Sequence, residues 1–519
     1  MAKKNAVAAV IDIGSNEIRL HLAQANSLTG DKKLESINYL ESLSYHLSLG
    51  RDTFHEGKLS FEKADEACEV IKNYLHVAKG YGVRNVKTIA GTAMREASNS
   101  SYIVDQIKIK TGVNVNITDE LQEKINIYKL MTHYAEDLLK KSAVIVYIGT
   151  GSIGISLFTD GKMPRTWNIG TGSLRMSEMF GDLQEYSHEY HRLINDFLEG
   201  YTYNLTTDLP KGIKNFIVSG QEIEDIIKLT SISPVNVNEP FFSISRAEFE
   251  ALYNRIKQKR IDSIANELGL NRERAASLLP AVCIYKNLLD FTEADTITAS
   301  RFLPLDGVLF EMLHPKRFQS ITKRFERGTI HSVQEIMQRM GQDKTHSEIV
   351  KEFAVTFFDK LKKIHGLEPR DKLLLITAAY LHDIGKCVNV QDHNLTSYEM
   401  VKRFDIVGLN QHEKEIVAFI CRYHSGYEIE KIEPFFAELN KETQVRISKL
   451  TALIRLADAL DRSHVPKFSK VSVTMEGSQL IVTVTSKENA LLEKWAFESK
   501  GRFFAEVFGI RAVLKVKRR

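Results

Sequence analysis

Two stretches of this chain repeat one design, and that repetition limits the fold more than any other feature. Residues 7 to 13 alternate and branch like a buried strand, Gly14-Ser15-Asn16 is a turn, and Ile18 to Ala23 reads as the returning strand. The pattern returns from Ser142 to Phe158, where Ala143-Val-Ile-Val-Tyr-Ile148 enters Gly149-Thr150-Gly151-Ser152 and leaves as Ile153 to Phe158. Asp160-Gly161 then turns the chain into a third strand ending at Asn168, and the pentapeptide Ile-Gly-Thr-Gly-Ser occurs at 148–152 and again at 169–173. Each hairpin leads into helical segments such as Phe61 to Lys79 and Tyr102 to Lys110. Two such halves predict a duplicated α/β fold with a cleft between them and glycine turns facing each other across it.

The remaining length demands more than this pair, because 519 residues exceed what one core organises and predict about three or four domains. From about residue 310 the apolar period becomes 3.6: Ile349, Val350, Phe353, Phe357 and Leu361 mark one amphipathic helix, and Leu373 to Leu381 and Ile416 to Tyr423 mark others. Phe353 and Phe357 at this spacing read as core. The tail pairs two strand patterns, Val471-Ser-Val-Thr and Leu480-Ile-Val-Thr-Val-Thr, with an amphipathic helix through Leu491 to Val507, a small α/β cap. The expected segments are 1–128, 129–310, 311–468 and 469–519.

Composition excludes several classes. Apolar residues at 43%, charged residues at 26% and only 10 prolines describe ordinary globular material. Cys68, Cys283, Cys387 and Cys421 are scattered without a CxxC pair, which argues against a disulfide framework or zinc knuckle and for a reducing, cytoplasmic setting. Ala2-Lys3-Lys4 runs into an apolar stretch too short for a signal peptide and cut by Asp12, and no run reaches the roughly 18 apolar residues of a spanning helix. A net charge of +4 is small for this length, so no sequence-specific nucleic-acid partner is expected. The local clusters Lys316-Arg317, Lys323-Arg324, Arg327 and Lys515, Lys517, Arg518, Arg519 read first as a solvated linker and a polar tail, and second as polyanion tracks.

Glycine turns bind phosphate when residues without a Cβ let backbone N–H groups converge on an anion and hydroxyls add donors. Gly14-Ser15-Asn16 and Gly149-Thr150-Gly151-Ser152 both suit this, although such turns more often only reverse the chain.

With Thr92-Ala-Met-Arg95-Glu96-Ala97 between them, Asp12-Ile-Gly-Ser-Asn-Glu-Ile-Arg19-Leu20 and Ile148-Gly-Thr-Gly-Ser152 resemble successive signatures of the exopolyphosphatase/guanosine-pentaphosphate phosphohydrolase (Ppx/GppA) family. The resemblance continues through Leu49-Gly50, Thr111-Gly112, Ile117-Thr118 and Ile169 to Glu178, and ends in Leu491-Leu-Glu-Lys-Trp495 and Phe504 to Gly509. It implies an actin-like (ribonuclease H-like) ATPase-superfamily core and a homodimer. The implied ligand is polyphosphate or a guanosine nucleotide, held with Mg2+ in the cleft. Asp12, Gly14, Ser15, Asn16 and Arg19 would form the first phosphate loop and Gly149, Thr150, Gly151 and Ser152 the second. Arg95 would clamp a phosphoryl group through its planar fork.

This chain departs from the family in its acids. The family's second loop usually reads DIGGGSTE, but here Tyr147 replaces the Asp and Gly154 the Glu. The family segment S-G-x-E-E-A-R is here Thr118-Asp119-Glu120-Leu121-Gln122-Glu123-Lys124, so the expected catalytic Glu falls on Leu121 or Gln122. Two outcomes follow: hydrolysis carried by Glu120 or Glu123 with Asp12 as a metal anchor, or ligand binding without turnover.

The helical region carries a second ligand set. His382-Asp383 closes the apolar helix Leu373 to Leu381, and His346 and Asp458 complete the H…HD…D order of the HD superfamily. His393 and His424 lie between them, as in members that hold a second metal. Imidazole with carboxylate suits a divalent transition metal, which makes an HD-type, metal-dependent phosphohydrolase a further reading.

Overall fold

The computed structural model describes residues 6–27, 35–83, 85–160, 162–186, 189–208, 210, 212–230, 239–425, 434–468 and 470–518. Ala2, Lys3, Lys4, Gly161 and Arg519 lie outside the described residues. The chain divides into two units, Met1–Phe325 and Glu326–Arg519.

In the first unit, the strands are β1 (Val7–Ile13), β2 (Glu17–Ser27), β3 (Glu35–His46), β4 (Val86–Ala90) and β5 (Val115–Ile117) in one sheet, ordered β3-β2-β1-β4-β5. The second sheet holds β6 (Ala143–Ile148), β7 (Ile153–Thr159), β8 (Lys162–Ile169), β9 (Asn215–Gly220), β10 (Phe241–Ser245) and β11 (Thr296–Ser300), ordered β10-β11-β9-β6-β7-β8. Each sheet runs third, second, first, fourth, fifth, with an antiparallel meander on one side and parallel crossovers on the other, and β10 is an addition to the second. The duplicated α/β expectation is met at the level of topology. All six residues of β6 are buried, the pattern of a strand covered on both faces.

The expected boundaries move for packing reasons. The helix Glu120–Tyr134 runs unbroken through position 128. The helix Pro304–Leu313 does not open the helical region: Leu305, Leu309 and Phe310 share a core with Val10, Ile89 and Leu130 of the first half. The helix Pro315–Arg339 then crosses the division between units.

The second unit contains the amphipathic helices Lys344–Lys360, Asp371–Leu381, His393–Arg403, Gln411–Tyr423 and Lys441–Ala459. Phe353 and Phe357 are buried in its core. The tail forms β12 (Lys470–Glu476), β13 (Gln479–Ser486), the helix Leu491–Phe508 and a third strand, β14 (Arg511–Arg518), parallel to β13. Lys515, Lys517 and Arg518 therefore belong to a strand, where they alternate with Leu514 and Val516 packed against the core. The tail is not a separate body, since Val482, Phe497 and Phe504 join one core with Leu450, Leu453 and Leu456. Among the described residues no helix is long and apolar enough to cross a membrane. The four cysteines are free thiols, with only Cys387 exposed.

Candidate functional site

The two glycine turns of the first unit meet. Gly14 N–H bonds to Glu17 O at 3.0 Å and closes the β1–β2 tip, and Gly149 N–H bonds to Ser152 O at 2.8 Å and closes the β6–β7 tip. Ser15 Oγ and Thr150 Oγ1 then share a buried hydrogen bond of 3.2 Å across 135 residues. The repeated pentapeptide has a structural cause. Its second copy lays Gly172 so tightly on the first turn that a Cβ there would stand 2.0 Å from Gly149 O. Ser173 N–H and Arg175 N–H donate to Gly149 O and Thr150 O at 3.3 and 3.0 Å.

Asp12, Gly14, Ser15, Arg19 and Thr150 line a cavity of about 30 Å³, joined by Gly91, Glu123, Tyr147 and Gln221. That volume holds about one water or small cation. Asn16, Gly149, Gly151 and Ser152 are not among the residues lining it; Gly151 presses on Thr92, which a Cβ would approach to 2.8 Å. Arg95 also stands one layer back, with its guanidinium donating to Thr118 O at 2.6 Å, Thr92 Oγ1 at 3.0 Å and Glu123 Oε1 at 3.2 Å. As it stands, Arg95 steadies Glu123 rather than presenting a free fork.

The acids distribute differently from the sequence expectation. Of Glu120, Gln122 and Glu123, it is Glu123 that faces the cavity. Gln122 bonds to Asn126 at 3.0 Å and lines a separate recess with Asn116 and Lys87. Glu120 accepts from Lys124 Nζ at 3.1 Å, and that contact, with a bond from Ser152, holds its carboxyl below the usual range against the opposing effect of burial. Burial raises Glu123 to about 7, with the Asp12 charge adding and Arg95 opposing. Burial likewise raises Asp12 to about 6. Tyr147 is a neutral phenol, because burial and the charges of Glu123 and Asp12 hold its pKa far above the ordinary value. Two raised carboxyls facing one space are oxygen donors of the kind a divalent cation such as Mg2+ would take, and its charge would lower both.

Lys124 fills the space beside Gly154. Its buried stem runs against Gly154, where a Cβ would lie 2.9 Å from Lys124 Cδ and 2.8 Å from Tyr128 Oη, and its ammonium also donates to Asn168 Oδ1. Beside this cavity, sharing Arg19 and Gln221 with it, a recess of about 580 Å³ carries Arg274 and Arg301. Arg274 pairs with Asp225 through two bonds of 2.6 and 3.0 Å, and Arg301 with Glu224 at 2.6 Å. Neither arginine has a motif that marks it in one sequence.

In the second unit, the six expected ligands converge. His346, near the start of its helix, places Nε2 3.2 Å from His382 Nε2, 3.3 Å from Asp458 Oδ1 and 3.7 Å from Asp383 Oδ2. His382 Nε2 lies 3.6 Å from Asp383 Oδ2 and 3.8 Å from Asp458 Oδ1. On the other side of Asp383, His393 Nε2 and His424 Nε2 each stand 3.4 Å from Oδ1. Asp383 thus belongs to two donor groups, one with His346 and His382 and one with His393 and His424.

Every imidazole in this set is held by its far nitrogen. Nδ1 of His382, His393 and His424 meets Ala379 O, Val390 O and Cys421 O at 2.9, 2.9 and 2.7 Å, and Nδ1 of His346 meets Asp461 Oδ2 at 2.8 Å. For His382, His393 and His424 the backbone carbonyls favour Nδ1 as the protonated nitrogen and leave Nε2 as a lone-pair donor, the outer-shell arrangement of metal-binding histidines. Burial lowers His382 to about 3, which keeps it neutral, and lowers His393 as well. Burial opposes the charge on His346, yet its bonds to Asp458 and Asp461 raise it to about 9. Asp383 and Asp458 stay ionised despite burial, through His382 and His424 for the former and Lys500 and His346 for the latter. Imidazoles beside ionised carboxylates are the donor set of a divalent transition metal, and the residues fit one, with His346 giving up its Nε2 proton to serve as a ligand.

Sequence reading missed Asp461, Lys386, Lys500 and His464. Asp461 sits one turn beyond Asp458 and was open to detection by that spacing. His464 stacks on His346 with ring centroids 3.8 Å apart and occupies a left-handed backbone conformation, φ 55°, which sequence spacing does not announce.

A model of the Ppx/GppA phosphatase family matches residues 29–316, and a model of Ppx/GppA phosphatase domain III matches residues 329–499. A guanosine-5'-triphosphate,3'-diphosphate pyrophosphatase of Vibrio parahaemolyticus is 21% identical over 490 residues, covering 92% of each chain. The enzyme of the same name from Aliivibrio fischeri is 18% identical over 494 residues, covering 93% of this chain and 95% of its own. The crystal structure of an exopolyphosphatase from Cytophaga hutchinsonii overlays with a TM-score of 0.50 at 17% identity, over 60% of this chain and 98% of its own, and supports the fold.

Proposed function

Because the chain belongs to the Ppx/GppA phosphatase family, we propose that it is a phosphohydrolase of phosphate chains whose metal-dependent chemistry lies in an HD-type helical unit. In this reading the paired turns of the first unit recognise polyphosphate or guanosine pentaphosphate. One observation carries it: four imidazoles, each anchored through Nδ1, turn Nε2 toward two ionised aspartates. Bound there, divalent cations supply Lewis-acid polarisation of a phosphoryl oxygen and activation of water. His346, His382, Asp383, His393, His424 and Asp458 hold them. Asp461 orients the His346 ring through its Nδ1 proton.

A second reading is favoured by Glu123. A carboxyl near pKa 7, beside Asp12 and between two phosphate turns, has the protonation balance of a general base at neutral pH. Turnover would then occur in the cleft with Mg2+ held by Asp12 and Glu123, while Tyr147 supplies a neutral hydroxyl where the family has an acid.

Metal analysis and phosphate release separate the two. Wild type, His382→Ala, Asp383→Ala and Glu123→Gln are each tested with tripolyphosphate and guanosine pentaphosphate. The helical reading expects the first two variants to lose metal and turnover while Glu123→Gln keeps both. Loss in Glu123→Gln alone assigns chemistry to the cleft, and a wild type that takes up no transition metal removes the helical reading. Sedimentation of the full chain tests the homodimer.

A further inference from the structure

We propose that a recess at the edge of the first sheet, outside the cavity between the two turns, binds an uncharged polyhydroxyl molecule of the size of a mono- or disaccharide. The sheet itself makes the opening. β5 starts at Val115, opposite Thr88, so along Val86 and Lys87 the strand β4 has no neighbour on that side. The space left there is about 650 Å³, bounded by β4, by residues 112–116 and by the helices Glu120–Tyr134 and Pro304–Leu313. That is the volume of a small-molecule site.

Its lining selects by hydrogen bonding rather than by charge. Five carboxamide residues contribute, Asn85, Asn114, Asn116, Gln122 and Asn126. Gln122 Nε2 donates to Asn126 Oδ1 at 3.0 Å, which steadies that pair, while Asn85, Asn114 and Asn116 are exposed. A carboxamide offers N–H donors and a carbonyl acceptor from one planar group, the complement of neighbouring hydroxyls that each give and take a bond. Among the described lining residues the charged ones are Lys87 and Glu311, and they pair with each other at 3.3 Å. The recess therefore has no spare charge to offset the desolvation of a phosphate. Gln122 stands where the family's catalytic acid was expected, and its amide belongs here while Glu123 faces the cavity.

A second observation points to a ligand hydroxyl. Thr88 also lines the recess, is 3% exposed, and its Oγ1 is buried without a hydrogen-bond partner. A buried hydroxyl with no bond lowers stability, and valine would fill the same volume without that loss. A ligand hydroxyl entering beside β4 supplies the missing bond. Leu75, Val113 and Val308 add apolar surface for the C–H faces of a sugar ring. No aromatic side chain stands among the described lining residues, so a nucleobase finds no stacking platform.

The test is ligand-observed NMR on the full-length protein, which registers weak binding through saturation transfer. D-glucose, trehalose and myo-inositol are the probes, with adenine and inorganic phosphate as the aromatic and charged rivals. Wild type is compared with Thr88→Val and with Asn114→Ala/Asn116→Ala, and the thermal midpoint of each is measured. The expected result is binding of at least one of the three polyols, weakened about tenfold in both variants, with the midpoint of Thr88→Val equal to or above that of wild type. No transfer to any of the three overturns the proposal, as does polyol binding that either variant leaves unchanged. Binding of adenine or phosphate that Asn114→Ala/Asn116→Ala abolishes overturns the assignment of ligand class. A lowered midpoint in Thr88→Val overturns the role of its hydroxyl, because the loss would show a bond made within the protein.

Discussion

Ser15 and Thr150, 135 residues apart, share a buried hydroxyl-to-hydroxyl hydrogen bond of 3.2 Å that joins the tips of the two glycine turns. Each hydroxyl belongs to a turn whose backbone is already closed by its own glycine, so this bond adds connection between the halves rather than local order. Thr150→Val keeps the shape and removes the partner of Ser15. The expected stability loss is about 0.5–1.5 kcal/mol, the net worth of one buried neutral hydrogen bond, read from chemical denaturation of the first transition. Tripolyphosphate affinity by calorimetry should fall in the same variant; full affinity would separate the turns from the phosphate site.

Gly154 and Lys124 exclude one another's alternatives. A Cβ at 154 would stand 2.9 Å from Lys124 Cδ, so no larger side chain fits there while the lysine stem occupies that space. Gly154→Ala should cost about 1–3 kcal/mol by overpacking. In the double variant Gly154→Ala/Lys124→Ala the cost of the alanine at 154 should shrink, leaving a coupling of about 1 kcal/mol measurable in a double-mutant cycle. Additive effects would show that Tyr128, the other neighbour, sets the limit.

Much of this was legible because it rests on short-range pattern. The strand–glycine–strand repeats at 7–23 and 143–158 specify hairpins by alternation and turn chemistry, and both sheets are built outward from them. The helical ligand order also survives in sequence, since His382 and Asp383 are adjacent and Asp458 closes a helix. Less visible was Glu123. Residues 120, 122 and 123 differ by helical rotation alone, and which one enters the cavity depends on how the helix Glu120–Tyr134 docks against Arg95 and Gly154. Lys500 was invisible because nothing local ties a lysine on the last helix to Asp458, 42 residues earlier. The strand Arg511–Arg518 was hidden by its lysines, which suggest a polar tail until their alternation with Leu514 and Val516 is weighed.

Glu222 makes the first unit's stability depend on pH. It is buried, accepts from Ser173 Oγ at 2.7 Å, and burial raises its carboxyl to about 7 against an ordinary value of 4.5. A carboxyl whose folded pKa is raised favours the folded state while protonated. Its contribution is complete below about pH 4.5 and is lost as pH rises through 7, a swing of roughly 3 kcal/mol at most. Glu222→Gln should therefore match wild type near pH 5 and exceed it at pH 8 in urea denaturation. Equal stability at pH 8 would mean that Glu222 is solvated when ionised.

Asp461 meets the proposed metal set through its side chain at His346 alone, its backbone N–H donating to Asp458 O at 3.1 Å, so a side-chain change there probes the proposed helical site through one ring. It receives the Nδ1 proton of His346 at 2.8 Å, and His346 is the ring that faces His382, Asp383 and Asp458 at once. Asp461→Asn can still accept that proton through its amide oxygen but loses the charge that makes the imidazole a strong donor. Metal affinity should fall about 10–100-fold, with the secondary-structure content unchanged, as outer-shell changes do elsewhere. Competition with a metallochromic chelator reads this directly. Asp461→Leu removes the acceptor and should weaken binding further than Asp461→Asn; if both variants bind as wild type does, His346 is positioned by its stacking on His464 instead.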